Sequence, residues 1–142
     1  MKRIMEIGMV LSLTLSAMLS PAVTHTFASG SFISCLSVTE IPEVECEALV
    51  ALYTSTDGDN WLANTNWLQT TTPSDWIGVT VEYGHVVRIN LPFNHLNGNI
   101  PEELEDLSSL SILDLGHNSL SGPIPVQLAN LSDLSNIGLW YN

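Results

Sequence analysis

Val86 to Ser109 reads VVRINLPFNHLNGNIPEELEDLSS, and Leu110 to Asp133 reads LSILDLGHNSLSGPIPVQLANLSD. Laid over one another they are one 24-residue unit written twice, and a third copy opens at Leu134 as LSNIGLWYN. At the fixed offset Ile89 falls on Leu113, Leu91 on Leu115, Asn94 on Asn118, Leu96 on Leu120, Gly98 on Gly122, Pro101 on Pro125 and Leu104 on Leu128. A period of this length marks a solenoid, in which each unit buries its apolar face against the next. Within a unit, Ile89 and Leu91, or Leu113 and Leu115, alternate with polar or variable residues, as a short strand with one buried face requires. Parallel strands are therefore expected, one per repeat. The Asn at each strand's end (Asn94, Asn118, Asn142) carries an amide that can bond backbone groups in the turn of the neighbouring coil. Gly98 and Gly122 permit a close bend, and Pro101 and Pro125 start a short helical or 3₁₀ return from which Leu104, Leu107, Leu128 and Leu131 point inward.

Working outward, the whole chain has 142 residues, 45% apolar and 13% charged, with three Lys and Arg against fifteen Asp and Glu. One domain fits this length. A formal charge of -12, with two of the three basic residues at the extreme N-terminus, leaves almost nothing to neutralise phosphates or to hold an anionic lipid surface, which argues against nucleic acid and membrane-surface partners. Lys2 and Arg3 precede an apolar run from Ile7 to Leu19, followed by Pro21, the pattern of a secretory signal peptide over residues 1–28. Cleavage is expected after Ala28, with Ala22 the weaker site; a membrane anchor is the alternative. Losing Lys2, Arg3 and Glu6 takes the charge from -12 to -13 and leaves Arg88 as the one fixed cation. Export to an extracellular or cell-surface location gives Cys35 and Cys46 a meaning, since they are the only pair available for a disulfide; two free thiols are the alternative.

The repeat pattern L-x-x-L-x-L-x-x-N-x-L-x-G-x-I-P-x-x-L-x-x-L resembles the plant-type leucine-rich repeat, seen in plant receptor kinases and in secreted bacterial proteins. The resemblance runs from about Glu43 onward, because LVALYTSTDGDNW, the spaced Trp61, Trp67 and Trp76, and the WIGVT segment resemble the N-terminal cap of the same family. One departure stands out: where relatives often carry a second cysteine pair, Ser74 and Val81 occur instead. The resemblance implies an α/β solenoid with a parallel sheet on its concave face. Residues 29–85 would form the helix-plus-hairpin cap, with Cys35 and Cys46, and residues 86–142 the repeats, two full units and a partial third. The residues themselves agree. Pro42 suits a first helical position, and Glu43, Glu45 and Glu47 put negative charge on the first turns of a helix. Cys46, Leu49, Val50 and Tyr53 share one face, Gly58 would end the helix, and Trp61, Trp67 and Trp76 would cover the solenoid's end. Trp76 to Glu82, a turn near Gly84, and Val86 to Leu91 would make a hairpin leading into the first repeat.

Chemistry is sparse. Asp57-Gly58-Asp59-Asn60 lacks the further ligands of a calcium loop and reads as a turn. Glu102, Glu103, Glu105 and Asp106 read as solvated surface, and His85, His95 and His117 lack ligand spacing. No nucleophile motif occurs. Neither enzyme chemistry, a cofactor nor a metal site is expected. Asn130-Leu131-Ser132 is a glycosylation sequon that the repeat pattern itself tends to produce.

The exposed side of the sheet remains, where residues of equal phase form rows: Arg88, Ile112, Asn136; Asn90, Asp114, Gly138; Pro92, Gly116, Trp140; and Phe93, His117, Tyr141. Exposed aromatics on a rigid surface are what binding hot spots favour, although packing along the sheet's rim would also explain them. The expected role is a secreted recognition module that binds an extracellular protein, peptide or glycan through Arg88, Asn90, Phe93, Asp114, His117, Asn136, Trp140 and Tyr141. The alternatives are the N-terminal fragment of a larger exported receptor, adhesin or enzyme, and a purely structural repeat protein. Leu134, Ile137 and Leu139 would leave an open C-terminal edge through which the chain self-associates.

Overall fold

A computed structural model describes residues 34–142; the expected leader at 1–28 and its cleavage sites lie outside the described residues. One α-helix, α1 (Glu43–Ser55), is followed by strands β1 (Val79–Glu82), β2 (His85–Asn90), β3 (Asn97–Asn99), β4 (Ile112–Asp114), β5 (Ser119–Ser121) and β6 (Asn136–Gly138). The main sheet has the order β1-β2-β4-β6. β1 and β2 pair antiparallel, while β2, β4 and β6 run parallel in the register that puts Ile89 beside Leu113 and Leu113 beside Ile137. The parallel strands lie one repeat apart, as the period requires. Ile89, Leu91, Leu113 and Leu115 are buried beneath the sheet.

Each repeat returns through a 3₁₀ segment, Glu102–Asp106 in the first and Val126–Asn130 in the second, each preceded by a proline, Pro101 or Pro125. Proline suits both positions, because its missing N–H would have no partner there. Leu104, Leu107, Leu128 and Leu131 are buried. α1 packs against the first return, the place that a preceding repeat's return would occupy. Between strand and return the sequence pattern suggests only a bend, but β3 and β5 form a second, two-stranded parallel sheet. Gly98 is required there: its φ is +134°, and the space a side chain would need is taken by the Ser55 carbonyl at the end of α1.

The N-terminal region departs from the sequence expectations in two places. Pro42 flanks α1 instead of starting it, because its ψ of 148° is extended; its carbonyl accepts the N–H groups of Glu45 and Cys46. The residue that turns the chain after the helix is Asp57, with φ 61°, not Gly58. Asp tolerates the left-handed region, and Gly58 is needed for another reason, since the Tyr53 ring lies where its side chain would be. Glu45 lies in the first turn of α1, as expected, and is buried there. At 2% exposure it accepts the Val86 N–H at 2.8 Å and faces His85 Nδ1 at 2.6 Å, which ties α1 to β2. The buried side of α1 is accordingly Glu45, Cys46, Ala48, Leu49 and Leu52, with Val50 and Tyr53 half-buried.

Cys35 and Cys46 form a disulfide, joining the segment before α1 to its first turns. Trp61, Trp67 and Trp76 are buried and pack in series with Tyr53, at centroid separations of 5.0 to 5.9 Å. Every one of these indoles spends its N–H on a carbonyl: Trp61 on Thr56, Trp67 on Ile77 and Trp76 on Thr70. Tyr83 and Gly84, both at positive φ, make the two-residue turn between β1 and β2. At the positions without the second cysteine pair, Ser74 donates its N–H to the Glu40 carboxylate, and Val81 packs against the core. No helix among the described residues is long and apolar enough to cross a membrane.

Candidate functional site

An asparagine ladder fixes the far end of the strands. Asn118 Oδ1 accepts the N–H groups of Asn94 (2.9 Å) and Leu96 (3.1 Å) in the preceding coil, and its Nδ2 donates to the carbonyls of Leu91 and Leu115 at 2.9 Å. Asn94 makes the same kind of connection to Ala63 in the N-terminal region, and Asn142 to Leu120 and Leu115 in the second repeat. Amides suit this position because each supplies a donor and an acceptor at once. Beyond the strands the backbone ladder continues, with Phe93 N–H donating to the Gly116 carbonyl and His117 N–H to the Trp140 carbonyl.

Immediately before each ladder asparagine stands the aromatic row. Phe93, His117 and Tyr141 all adopt left-handed backbone, with φ of 54°, 55° and 58°. Side chains in this conformation project from the rim instead of alternating with the strand. The rings stack face to face across the repeats, Phe93 on His117 at 4.0 Å and His117 on Tyr141 at 4.5 Å. They are not hidden: Phe93 is 63% and Tyr141 77% exposed. A bulky residue with positive φ is uncommon and costs on the order of 1 to 2 kcal/mol. Its recurrence at one phase shows that the turn geometry of the repeat imposes it.

Trp140 does not join that stack. Its indole folds over Gly116 of its own row and Gly138 of the adjoining one: a side chain on Gly138 would meet Trp140 Cη2 and Cζ3 at 2.6 Å and Asp114 Oδ1 at 2.5 Å. Half of Trp140 (49%) stays exposed. Asp114 is half-buried and accepts the Gly116 N–H at 3.0 Å. Arg88 and Asn90 are exposed on β2, and Asn136 is exposed on β6. The register aligns Arg88, Ile112 and Asn136, and also Asn90, Asp114 and Gly138, in the rows read from the sequence. Arg88 also lines a shallow hollow with Thr80, Glu82, Val87, Ser109, Ser111 and Asp133. The eight candidate residues therefore share one strand-side surface: the rim stack of three, the Trp140 and Asp114 pair farther in, and Arg88, Asn90 and Asn136 exposed on the strands.

The opposite, return face is built differently. Glu102 accepts from Gln127 at 2.7 Å and Glu105 from Asn130 at 3.1 Å, both in exposed positions. Among the described residues no group of His, Cys, Asp or Glu is arranged to hold a metal. The Tyr53 phenol is pushed up to about 12 by burial and by its hydrogen bond to the Asp59 carboxylate. Sequence reasoning missed the left-handed backbone of the aromatic row. Its only available signal was that three unlike rings recur directly before the ladder asparagine.

Comparison with known proteins agrees with this architecture. The family model described as Leucine Rich Repeat matches residues 109–131. The BIR2 ectodomain from Arabidopsis thaliana is 33% identical with a TM-score of 0.59, the match covering 73% of this chain and 57% of that one. The crystal structure of PEPR1-AtPEP1 is 28% identical with a TM-score of 0.54, over 67% of this chain and 15% of that one. The ectodomain of the Arabidopsis thaliana membrane receptor kinase GASSHO1/SCHENGEN3, in complex with CASPARIAN STRIP INTEGRITY FACTOR 2, is 26% identical with a TM-score of 0.52, over 75% of this chain and 12% of that one. No curated protein sequence matches the chain. Residues 109–131 are a leucine-rich repeat, and the chain is similar to plant-type leucine-rich repeat receptor ectodomains. It spans between 12% and 57% of the chains of these three similar structures.

Proposed function

We propose that this protein is an extracellular recognition module that binds a protein or peptide partner through its strand-side surface. Residues 1–28 serve as the export signal, 29–85 as the N-terminal cap, and 86–142 as the recognition repeats. The observation that carries this reading is the exposed, repeat-locked stack of Phe93, His117 and Tyr141. Aromatic side chains bring large contact area at small conformational cost, and rigid anchors of this kind dominate binding energy. Similar structures give independent support, since PEPR1 is solved with AtPEP1 and GASSHO1/SCHENGEN3 with CASPARIAN STRIP INTEGRITY FACTOR 2. Arg88, Asn90, Asp114, Asn136 and Trp140 supply the polar and aromatic surroundings of the stack. A glycan partner would use the same rings.

The test is selection of peptide ligands from a displayed library against the purified protein, followed by substitution. Replacing Phe93 or Tyr141 by Ala should weaken a selected ligand by about 1 to 2 kcal/mol, whereas Glu102→Gln and Glu105→Gln on the return face should leave it unchanged. The reverse ranking would assign binding to the return face and refute the proposal.

A further inference from the structure

Four tryptophans are present, and they divide sharply by use. Trp61, Trp67 and Trp76 are buried and bond their indole N–H groups to backbone carbonyls, whereas Trp140 is half exposed and its N–H has no hydrogen bond among the described residues. One face of its ring rests on Gly116 and Gly138, so the other is open. Both glycines serve this arrangement, because a side chain at either position would collide with the ring. Near the ring, about the same two glycines, is the Asp114 carboxylate, whose Oδ1 accepts the Gly116 N–H and which forms no ion pair among the described residues. An open indole face beside an unpaired carboxylate is complementary to a cation, and among side-chain cations the planar guanidinium best combines stacking with carboxylate pairing.

The charge of the rest of the molecule points the same way. Fourteen of the fifteen Asp and Glu fall at or after residue 34, against Arg88 alone. Arg88 sits beside the Asp114 row, but it also lines a hollow with Glu82 and Asp133, whose two carboxylates outnumber it. Nothing fixed and positive therefore competes for Asp114. Resting on the proposed strand-side recognition, we infer that the partner is a basic peptide segment, and that one of its arginines stacks on Trp140 and pairs with Asp114. The aromatic stack of Phe93, His117 and Tyr141 then takes apolar parts of the same segment.

Two probes test this without any substitution in the protein: the peptide acetyl-Gly-Arg-Gly-amide and its citrulline counterpart, which keeps the shape of arginine and lacks the charge. Titration is followed by NMR at the Trp140 indole N–H and the Gly116 and Gly138 amides. The arginine peptide should shift these signals, and the citrulline peptide should bind about five-fold more weakly or worse. Asp114→Asn should bring the arginine peptide down to the citrulline level; Asn still offers Oδ1 to the Gly116 N–H, so the turn is kept. Equal binding of the two peptides, or shifts confined to Glu102–Asp106, would overturn the inference. Library selection separates this failure from that of the broader proposal. Selected ligands that contact Phe93 and Tyr141 but carry no basic residue would remove the arginine site and leave strand-side recognition standing. Ligands that map off the strand side would remove both.

Discussion

The repeats and the N-terminal region bury their backbones by opposite strategies. From Val86 onward one solution is copied: an asparagine bonds the coil before it, a leucine pair fills the space beneath the sheet, and a proline opens the return. Before Val86 nothing repeats. Glu45 reaches across to Val86, the three indoles each find a different carbonyl, and Asn64 bonds the carbonyl of Gly58. Copied contacts distribute stability over many equivalent bonds, while single contacts concentrate it in a few side chains. The two regions should therefore respond differently to damage.

The largest effect belongs to Trp67→Ala. The ring is 1% exposed and touches Trp61, Trp76 and Tyr53, so truncation should destabilise by about 3 to 5 kcal/mol. Denaturant unfolding followed by circular dichroism measures this. If the repeats rely on the N-terminal region to cover their first coil, the variant will still unfold in one transition with a lower midpoint. Two separated transitions would break the comparison by showing that the repeats stand alone.

Asn118→Ala comes next, and it strikes the copied element. Two N–H groups and at least two carbonyls lose their partner together. Leaving such groups unmade costs about 1 to 3 kcal/mol each when buried; with partial access to water, a total of roughly 3 kcal/mol is expected. Hydrogen exchange should speed up at the Asn94 and Leu96 amides while the Val86 amide, held by Glu45, stays protected. Uniform loss of protection would mean that damage to the ladder is not felt locally but spreads through both regions.

How much of this was legible in the sequence follows from the same distinction. The strand register, the inward leucines, the asparagine ladder and the proline-led returns could be read because each appears twice at one offset. The helix after Pro42 and the tryptophan cluster could be read from residue type. What could not be read were contacts made once between distant positions, such as Glu45 with Val86 and His85, or Gly98 against Ser55. Backbone conformation was also hidden, because Phe93 and Tyr141 are not residues that normally occupy the left-handed region, and His117 alone is only a weak signal for it. For the candidate site, the rows were visible as columns of equal phase. The separation of Trp140 from the stack was not, since it depends on two glycines that leave room for the ring.

That hidden conformation yields a smaller effect. At His117, Ala keeps the left-handed strain and loses the stack, whereas Gly loses the stack and relieves the strain. His117→Gly should accordingly be more stable than His117→Ala by about 1 kcal/mol, although both lose the ring that ligands would meet. Thermal melting of the two variants side by side decides it. Equal stability would mean that the turn relaxes once the ring is gone.

The smallest effect lies at high pH and belongs to the N-terminal region alone. Tyr53 donates its hydroxyl to Asp59 Oδ1 at 2.8 Å, and burial together with that carboxylate raises its phenol from 10.0 to about 12. A raised value means that the fold prefers the neutral phenol. The associated stability is fully present below pH 10 and is lost as pH climbs from 10 to 12. The ring is only partly buried, so solvent screening keeps the loss modest. Tyr53→Phe retains the ring that packs on Trp61 and Trp67 but has no proton to lose. Below pH 10 the variant should therefore be slightly the less stable of the two, lacking the hydrogen bond to Asp59, and between pH 10 and 12 the gap should close. The measurement is the denaturation midpoint of both proteins at intervals across this window. A gap that stays constant to pH 12 would show that the phenol titrates alike in the folded and unfolded chains, and that burial beside Asp59 does not favour its neutral form.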